Sequence, residues 1–418
     1  MDYTELEPHQ EVHQAGIIYD LKSLFAILLR VSDPRHARGK QYPLELLLVL
    51  ILLAKLCGEN TPTGIADWVT YRIDALVAMK LLPKNKAPCH MTYRRVLQLI
   101  VSPEEMERLL SEYHQSCLKT GTELVFSLDG KTVRGSIPSG ETRGTHLLSL
   151  YVPGQGLVLV EAKVDQKENE IVVAPEILKQ VCLEGVIVIG DAMHTQRGTS
   201  EQILQAGGDY VWMVKGNQAR TLWAIQKLFV HEACNLKNGA PLSKDIRTAE
   251  TVNKGHGRRE KRALWTSTEL NDYLDWPGVA QVFRVERVIW HEKHRGYTRQ
   301  VVYGLTSLSP EQASPKKLLA LIRQYWEIET GLHYRRDVTL KEDATRLTLG
   351  NAGHITAILN NAIIGLCLQN GYHNLAQARR LFNAKPNLAF DLLCSATPPF
   401  LLKPCLDPHG FNKVASLC

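Results

Sequence analysis

No two of the nine cysteines stand at Cys-x-x-Cys spacing. An odd, scattered set argues for reduced thiols in a cytoplasmic protein, against a disulfide frame and against a zinc site. No apolar run is long enough to cross a bilayer. The longest, Leu44 to Cys57, is interrupted by Glu45 and Lys55 and reads as a buried helix. Met1 to Gln14 are acidic and polar, so no secretory leader is expected there. Internal repeats and low-complexity tracts are also missing, which excludes collagen-like and largely disordered chains. Nor does one sign of charge dominate: 49 Lys plus Arg against 43 Asp plus Glu leave +6. That excess permits a nucleic-acid partner without demanding one. What is present is an ordinary globular mixture, 44% apolar and 22% charged in 418 residues. That length suits roughly two to three domains.

Up to about residue 120 the patterning is helical. Asp20 to Leu29 is amphipathic, and a basic, breaker-rich turn from Asp33 to Lys40 precedes the Leu44 helix. Thr63 to Val77 and Thr92 to Ile100 predict further helices, and Ser102 with Glu105 has capping-box spacing. Strand patterning starts at Glu123. Glu123 to Leu128, Thr145 to Val152 and Leu157 to Val164 predict strands, the last two joined by the turn Pro153-Gly154-Gln155-Gly156. A helix over Pro175 to Cys182, a strand over Val186 to Ile189, a helix over Ser200 to Ala206 and a strand over Tyr210 to Val214 follow. From Arg220 a helix runs to His231. Four strand-like runs come next: Arg247 to Val252, Glu260 to Ser267, Ala280 to Trp290 and Thr298 to Ser307. Helix returns over Ser314 to Leu332, with Ser314 a natural N-cap and Pro315 suited to the first helical position, and again over Ile355 to Leu368. The tail from Pro386 is Pro-rich and poorly patterned.

Three antiparallel strands followed by helix, strand, helix, strand is the order of an RNase H-like sheet. The expected fold class is therefore α/β. An α-helical N-terminal domain over 1–120 precedes an RNase H-like catalytic core over 121–385. A β-rich insertion lies at about 220–308, and a C-terminal tail covers 386–418.

Two-metal phosphoryl transfer needs acidic oxygen ligands that hold divalent ions about 4 Å apart. Asp129 and Asp191 suit that task, since each follows an apolar strand and precedes a small residue, Gly130 or Ala192. Aspartates after strands also serve simply as turn formers; the strand order is what favours the metal reading. A third carboxylate would come from the Ser314 helix, which carries Glu327 and Glu329. Two residues apart, they face different sides of a helix, and spacing does not choose between them.

Six blocks of sequence, in order, resemble the H-repeat-associated transposases of bacterial insertion sequences, a branch of the DDE transposases. Asp33-Pro34-Arg35 with Arg38-Gly39 and Tyr42-Pro43-Leu44 is similar to the family's opening signature. Ser127-Leu128-Asp129-Gly130-Lys131-Thr132-Val133-Arg134 resembles the first-acid block, and Lys167 with Asn169-Glu170-Ile171 the next. Gly190-Asp191-Ala192-Met193-His194-Thr195-Gln196 resembles the second-acid block, followed by Gly208-Asp209-Tyr210 with Lys215-Gly216-Asn217-Gln218. His256-Gly257-Arg258 with Glu260 and Arg262 matches the family's basic block. In the third-acid block, Ile322-Arg323-Gln324-Tyr325-Trp326-Glu327-Ile328-Glu329, then Leu332-His333-Tyr334, Asp337-Val338 and Glu342-Asp343, the family reads Trp-x-Ile-Glu, so the resemblance selects Glu329. The chain departs from the family at Tyr325, Thr330, Tyr334 and Arg336, none of them a carboxylate. The wider class carries a Tyr, an Arg and a Lys for the DNA phosphate on the glutamate helix. Those positions fall here on Ile322, Tyr325 and Arg336, so only the last keeps a charge.

The resemblance implies metal-dependent cleavage at the element's ends, freeing a 3′-OH that attacks target DNA with no covalent protein intermediate. Asp129, Asp191 and Glu329 would be both catalytic residues and metal ligands, holding two Mg²⁺ or Mn²⁺ ions. Double-stranded DNA, as terminal repeats and as target, is the expected partner, bound by a homodimer near the bacterial nucleoid. A domesticated RNase H-like nuclease and a non-catalytic DNA-binding regulator are the alternatives.

Several other residues are candidates for DNA contact. Lys131 and Arg134 follow the first acid, His194 follows the second, and Lys215 and Asn217 follow the last core strand. Each also has a plain structural use in a turn or loop. Lys254, His256, Arg258, Arg259 and Arg262 form a basic, glycine-containing hairpin tip suited to phosphates. Arg323 and Arg336 flank the third acid. Trp265 and Trp290 read as core residues of the insertion, with stacking on an unpaired base near a cleaved end as the alternative, and Glu170 as a helix-dipole partner, with an auxiliary acid as the alternative. Arg35, Arg38, Lys40, Arg94 and Arg95 are basic corners of the helical part.

Overall fold

The computed structural model describes residues 7–82, 84–119, 123–165, 169–237, 245–255, 257–291 and 296–396. A short hairpin, β1 (Gln10–Val12) and β2 (Ile18–Asp20), comes first; the helical reading of this region did not anticipate it. Then come α1 (Leu24–Leu28), α2 (Leu44–Leu56), α3 (Pro62–Thr70), α4 (Ile73–Ala78), α5 (His90–Arg95) and α6 (Pro103–Ser116). The single helix expected over Thr63 to Val77 breaks at Tyr71-Arg72 into α3 and α4. Ser102 caps α6 by accepting from the Glu105 amide, but the Glu105 carboxylate turns away to Ser32 and leaves the capping box half made.

The sheet strands and their helices follow: β3 (Leu124–Val133), β4 (Thr145–Val152), β5 (Leu157–Val164), α7 (Glu170–Leu178), β6 (Val186–Gly190), α8 (Arg197–Gln205) and β7 (Asp209–Val214). Next are α9 (Ala219–Lys237), β8 (Arg247–Gly255), β9 (Arg258–Ser267), β10 (Gln281–His291) and β11 (Gly296–Thr306). The chain closes with α10 (Pro315–Tyr325), α11 (Ala352–Gln369), α12 (Leu375–Ala384) and α13 (Pro386–Cys394). Residues 386–394 are thus a helix, not part of an unpatterned tail. Pro386 occupies the first turn, where its missing N–H costs nothing, and Ala389 and Leu393 are buried. Asn169 starts α7 ahead of Pro175 by accepting from the Val172 amide at 3.3 Å.

Nine strands form one mixed sheet in the order β5-β4-β3-β6-β7-β11-β10-β9-β8. β3, β6 and β7 are mutually parallel, and every other pairing is antiparallel. Strict alternation along the parallel strands builds two apolar faces. Phe126, Leu128, Val186, Val188, Tyr210 and Trp212 belong to one core, shared with Val173 and Ile177 of α7 and Ile203 of α8. Val125, Ile187, Ile189, Val211 and Met213 belong to a second core, with Leu318, Leu319 and Ile322 of α10. Helices therefore cover both faces, and each fully buried aliphatic contributes roughly 1.5–3 kcal/mol. The α11 helix is 18 residues long and apolar enough to span a bilayer, but nearly all of it is buried inside the protein.

The insertion strands continue the sheet rather than forming a separate layer. β11 pairs with β7 only over Tyr303–Thr306, opposite Val211–Val214. Its first seven residues, 296–302, therefore run past the β7 end, carrying β8, β9 and β10 with them as a ribbon. At strand rise that projection is about 24 Å.

Candidate active site

Asp129 lies within β3, not at its end, because the strand continues to Val133 along β4. The parallel pairing of β3 with β6 stops at Leu128 and Gly190, so Asp129 and Asp191 are the next residues on neighbouring strands. Both share the parity of the α10-facing residues. Asp191 keeps extended backbone (φ −73°, ψ −178°), and its Oδ1 accepts from the Met193 amide at 2.7 Å. The turn after Asp191 is held from below. Thr195 Oγ1 donates to the Met213 carbonyl at 2.6 Å, Asn217 Nδ2 to the Ala192 carbonyl at 2.5 Å, and Gln218 Nε2 to the Thr195 carbonyl at 2.9 Å.

The third carboxylate arrives on irregular backbone. The helix expected to reach Leu332 ends at Tyr325, and the chain passes into wide π-helical turns at Ile328–His333 and Arg335–Thr339. Thr330 and Gly331, poor helix formers, sit at the transition. This geometry separates the two glutamates. Glu327 Oε2 accepts from the Gly154 amide in the β4–β5 turn at 3.1 Å. Glu329 instead turns toward Asp129. His333 Nδ1 stands between them, 3.5 Å from Glu329 Oε2 and 3.7 Å from Asp129 Oδ2. Ligand atoms of Asp129, Glu329 and His333 all lie within 4.8 Å of one another; Asp191 stands outside that radius. The Tyr325 hydroxyl faces Asp129 Oδ1 at 3.4 Å.

Burial pushes the Asp129 carboxyl up to about 6, and the negative charges of Glu329, Glu170 and Asp191 add to the shift, while His333 opposes it. The hydrogen bond from His333 holds Glu329 below its ordinary value. Burial and the carboxylates of Asp129, Asp191 and Glu329 drive the Tyr325 hydroxyl far up. Hard oxygen ligands gathered with incomplete neutralisation suit a divalent cation such as Mg²⁺ or Mn²⁺.

Behind the two aspartates lies a network that was only partly foreseen. Glu170, at the start of α7, binds His146 Nε2 at 2.7 Å and His194 Nε2 at 3.1 Å, and His146 Nδ1 meets Thr132 Oγ1 at 2.9 Å. Its carboxylate packs on Gly130 so closely that a Cβ there would meet Oε1 at 2.2 Å. The two histidine contacts outweigh the burial that would raise it and hold the Glu170 carboxyl down at about 2. Glu170 thus does more than partner a helix dipole, and His194 is buried against it as a loop-shaping residue. His146 has no place among the residues picked from the sequence, and His333 stands there only within the third-acid block of the resemblance. The signal for His146 is its alternation on β4, directly opposite Thr132.

Two expected DNA-contacting cations are corrected. Lys131 is buried and bound to Asp337 at 2.8 Å, Asp343 at 3.4 Å and Glu342 at 3.7 Å. Arg336 is fully buried, bound to Glu161 at 2.8 Å and Glu342 at 2.9 Å. Both are spent on internal carboxylates and do not reach the surface. Arg262 is also buried, with Glu260 at 2.8 Å and Asn253 at 3.2 Å. Arg134, Lys215, Asn217, Lys254, Arg258, Arg259 and Arg323 are exposed. Trp265 lies under Arg284 at 4.5 Å, and Trp290 is half exposed beside Arg259 at 6.0 Å. In the helical part, Arg35 is bound to Asp33 and Lys40 lies 3.4 Å from the same carboxylate, while Arg38, Arg94 and Arg95 are exposed. Lys167 and His256 lie outside the described residues.

Two aspartates on adjacent parallel strands and a glutamate brought in after a covering helix form a carboxylate-lined cluster where the pairing of two interior strands of a mixed sheet ends. Comparison with known proteins gives that site its family. Residues 120–366 match the family described as "Transposase DDE domain", and residues 25–114 match "DDE_Tnp_1-associated". The chain belongs to the DDE transposases and to their H-repeat-associated branch, and is a DNA transposase of the insertion-sequence type. "H repeat-associated putative transposase YhhI" of Escherichia coli (strain K12) is 28% identical over 372 residues, 87% of this chain and 95% of the relative. "Uncharacterized protein in dhlA 3'region" of Xanthobacter autotrophicus is 34% identical over 263 residues, 61% of this chain and 85% of that one. Among solved structures, a piggyBac transposase synaptic complex with hairpin DNA aligns with TM-score 0.43 and 11% identity, over 93% of this chain and 79% of that chain.

Proposed function

We propose that Asp129, Asp191 and Glu329 are the catalytic carboxylates of an RNase H-like core, and that they hold two Mg²⁺ or Mn²⁺ ions. The observation that carries this reading is the open acidic cluster itself. Asp129 and Glu329 converge beside Asp191, and burial and mutual repulsion raise the Asp129 carboxyl. Bound cations would relieve that repulsion, activate the attacking oxygen and stabilise the leaving one. The protein's own share is positioning and charge placement. The Glu170 network fixes the Asp129–Gly130 strand and the turn after Asp191, and Tyr325 covers Asp129.

In this reading the substrate is double-stranded DNA, first the element's terminal repeats and then the target. A water oxygen attacks the scissile phosphorus, the P–O3′ bond breaks, and the 3′-OH then attacks a target phosphodiester in a second in-line displacement. The exposed Lys215, Asn217, Arg134 and Arg323 lie on elements that border the catalytic edge. Lys254, Arg258 and Arg259 stand on the projecting ribbon, positioned to follow the phosphate backbone. Residues 1–120 would serve end recognition or dimerisation ahead of the catalytic domain at 121–385. A homodimer on paired ends, working in the cytoplasm at the nucleoid, completes the proposal.

Strand cleavage of DNA carrying the element's native flanks tests it, comparing wild type and Asp191→Ala with Mg²⁺ and with EDTA. Metal-dependent nicking at the ends, lost in the variant while DNA binding persists, is the expected result. Tight binding without cleavage in wild type would overturn the catalytic reading in favour of a regulator.

A further inference from the structure

The ribbon carries a second charged site, beside Glu329 but made of arginines. Leu264 of β9 and Phe283 and Val285 of β10 pack under α10, and alternation puts Arg258, Glu260, Arg262 and Arg287 on that same face. Glu260 is buried and binds two guanidinium groups, Arg262 at 2.8 Å and Arg287. The Arg287 guanidinium stands over the Trp326 ring, 4.9 Å from its centre, and Trp326 is three residues before Glu329. Arg323, on the last turn of α10, and Arg258, at the start of β9, are both exposed and close enough to repel Arg262.

One buried carboxylate is therefore shared by two guanidinium groups, and the charges of two more bear on Arg262. Burial, followed by the charges of Arg323, Arg287 and Arg258, pulls the Arg262 guanidinium below its ordinary value despite Glu260. The Nε of Arg262 is buried without a hydrogen-bond partner among the described residues. A buried charged donor left unpaired is costly, and an excess of planar, forked cations is matched by an anion with several oxygens in one plane or tetrahedron.

We infer that Arg258, Arg262, Arg287 and Arg323, organised by Glu260 and the Trp326 ring, form a seat for a phosphate of the DNA backbone next to the catalytic carboxylates. The inference rests on the DNA reading above. Glu260 keeps the empty seat from flying apart; the backbone phosphate supplies the remaining neutralisation. Its position beyond Trp326 assigns it to a phosphate near the scissile one, so that it registers the strand in the site rather than reading sequence.

The test is DNA affinity across salt concentration, for full-length wild type, Arg287→Gln and Arg299→Gln. Arg299 removes an equal charge from the ribbon's opposite face, where it pairs with Glu286. Arg287→Gln is expected to lower the salt slope by about 0.9 and affinity by about tenfold, with Arg299→Gln within about twofold of wild type. Equal behaviour of the two variants overturns the seat and leaves the DNA reading standing. Arg258→Gln, which touches only an exposed side chain, replaces Arg287→Gln should the latter fail to fold and is expected to shift the slope in the same direction. Calorimetry with inorganic pyrophosphate separates the two ideas. Arg287-dependent binding of pyrophosphate by a protein that ignores DNA keeps the anion seat and discards the DNA reading; no pyrophosphate binding and no Arg287 effect discard the seat.

Discussion

Asp129, Glu329 and His333 form one acidic cluster over β3, and Asp337, Glu342 and Asp343 form another a few residues further along the same strand face. The second is filled by cations of the chain itself. Lys131 touches all three of its acids, and Arg336 ties Glu342 to Glu161. Burial raises Glu342, but Arg336 outweighs it, and the carboxyl ends below its ordinary value. Among the described residues the first cluster makes no ion pair with a lysine or arginine; His333 stands inside it, Lys131 acts on Glu329 only through its charge, and Asp129 ends well above its ordinary value. Similar acid counts on one strand face thus have opposite chemistry. What separates an internal brace from a cation site is whether the fold supplies its own counter-charge.

The largest effect that would break this comparison is on chemistry. Glu329→Gln is expected to abolish end cleavage, whereas Glu327→Gln, which loses only a bond to the Gly154 amide, is expected to retain it. A cleavage assay on both variants checks the choice, and the reverse outcome would move the third carboxylate. Next in size is a stability effect on the braced cluster. Arg336→Met removes the guanidinium shared by the buried carboxylates of Glu161 and Glu342, leaving, among the described residues, Glu161 only the Ser149 hydroxyl and Glu342 only Asn360 and Lys131. It should cost about 3–5 kcal/mol in a denaturant titration. Asp129→Asn should behave oppositely in metal-free protein, raising Tm while ending cleavage, because it removes a buried charge.

Two smaller effects sharpen the contrast. Glu170→Ala removes the carboxylate that links His146 to His194 behind Gly130, while His146 keeps Thr132. Its divalent-cation affinity should fall by about 10–100-fold with the fold intact, and Glu170→Asp should recover part of it. pH acts on the two clusters with opposite sign. The Asp129 carboxyl is raised, so in metal-free protein its contribution to stability is largest below its ordinary 3.8 and is lost as pH rises through about 6. Glu342 is lowered, so its contribution is present at neutral pH and is lost as pH falls through its depressed value. Unfolding of Asp129→Asn and wild type between pH 4 and 8 should show curves that diverge most above about 6. Parallel curves would remove Asp129 as the destabilised group.

Much of this was legible in the sequence, for physical reasons. The strands from Thr145 to Val152 and Leu157 to Val164 were bounded by alternation and a glycine-rich turn, and the structure keeps both limits. Asp129 and Asp191 stood out because each follows a buried, mainly apolar stretch. The choice of Glu329 over Glu327 came from family resemblance alone, since the unwound backbone after Tyr325 defeats helical spacing. The burial of Lys131 and Arg336 was missed because their partners are distant in sequence, at 337–343 and 161. Parity gave one clue, since Lys131 shares the inward face of β3 with Asp129. The arginines around Glu260 read as a hairpin tip suited to phosphates; only the register of β9 on β10 brings Arg262 beside Arg287.

Calorimetric titration of the metal-free protein with Mn²⁺ tests the central claim most directly, comparing wild type with Asp129→Asn and Asp337→Asn. Loss of binding in Asp129→Asn and its retention in Asp337→Asn is the result predicted for an open cluster beside a braced one. Retention in Asp129→Asn, with loss in Asp337→Asn, would place the cation among the residues that Lys131 already fills and contradict the account.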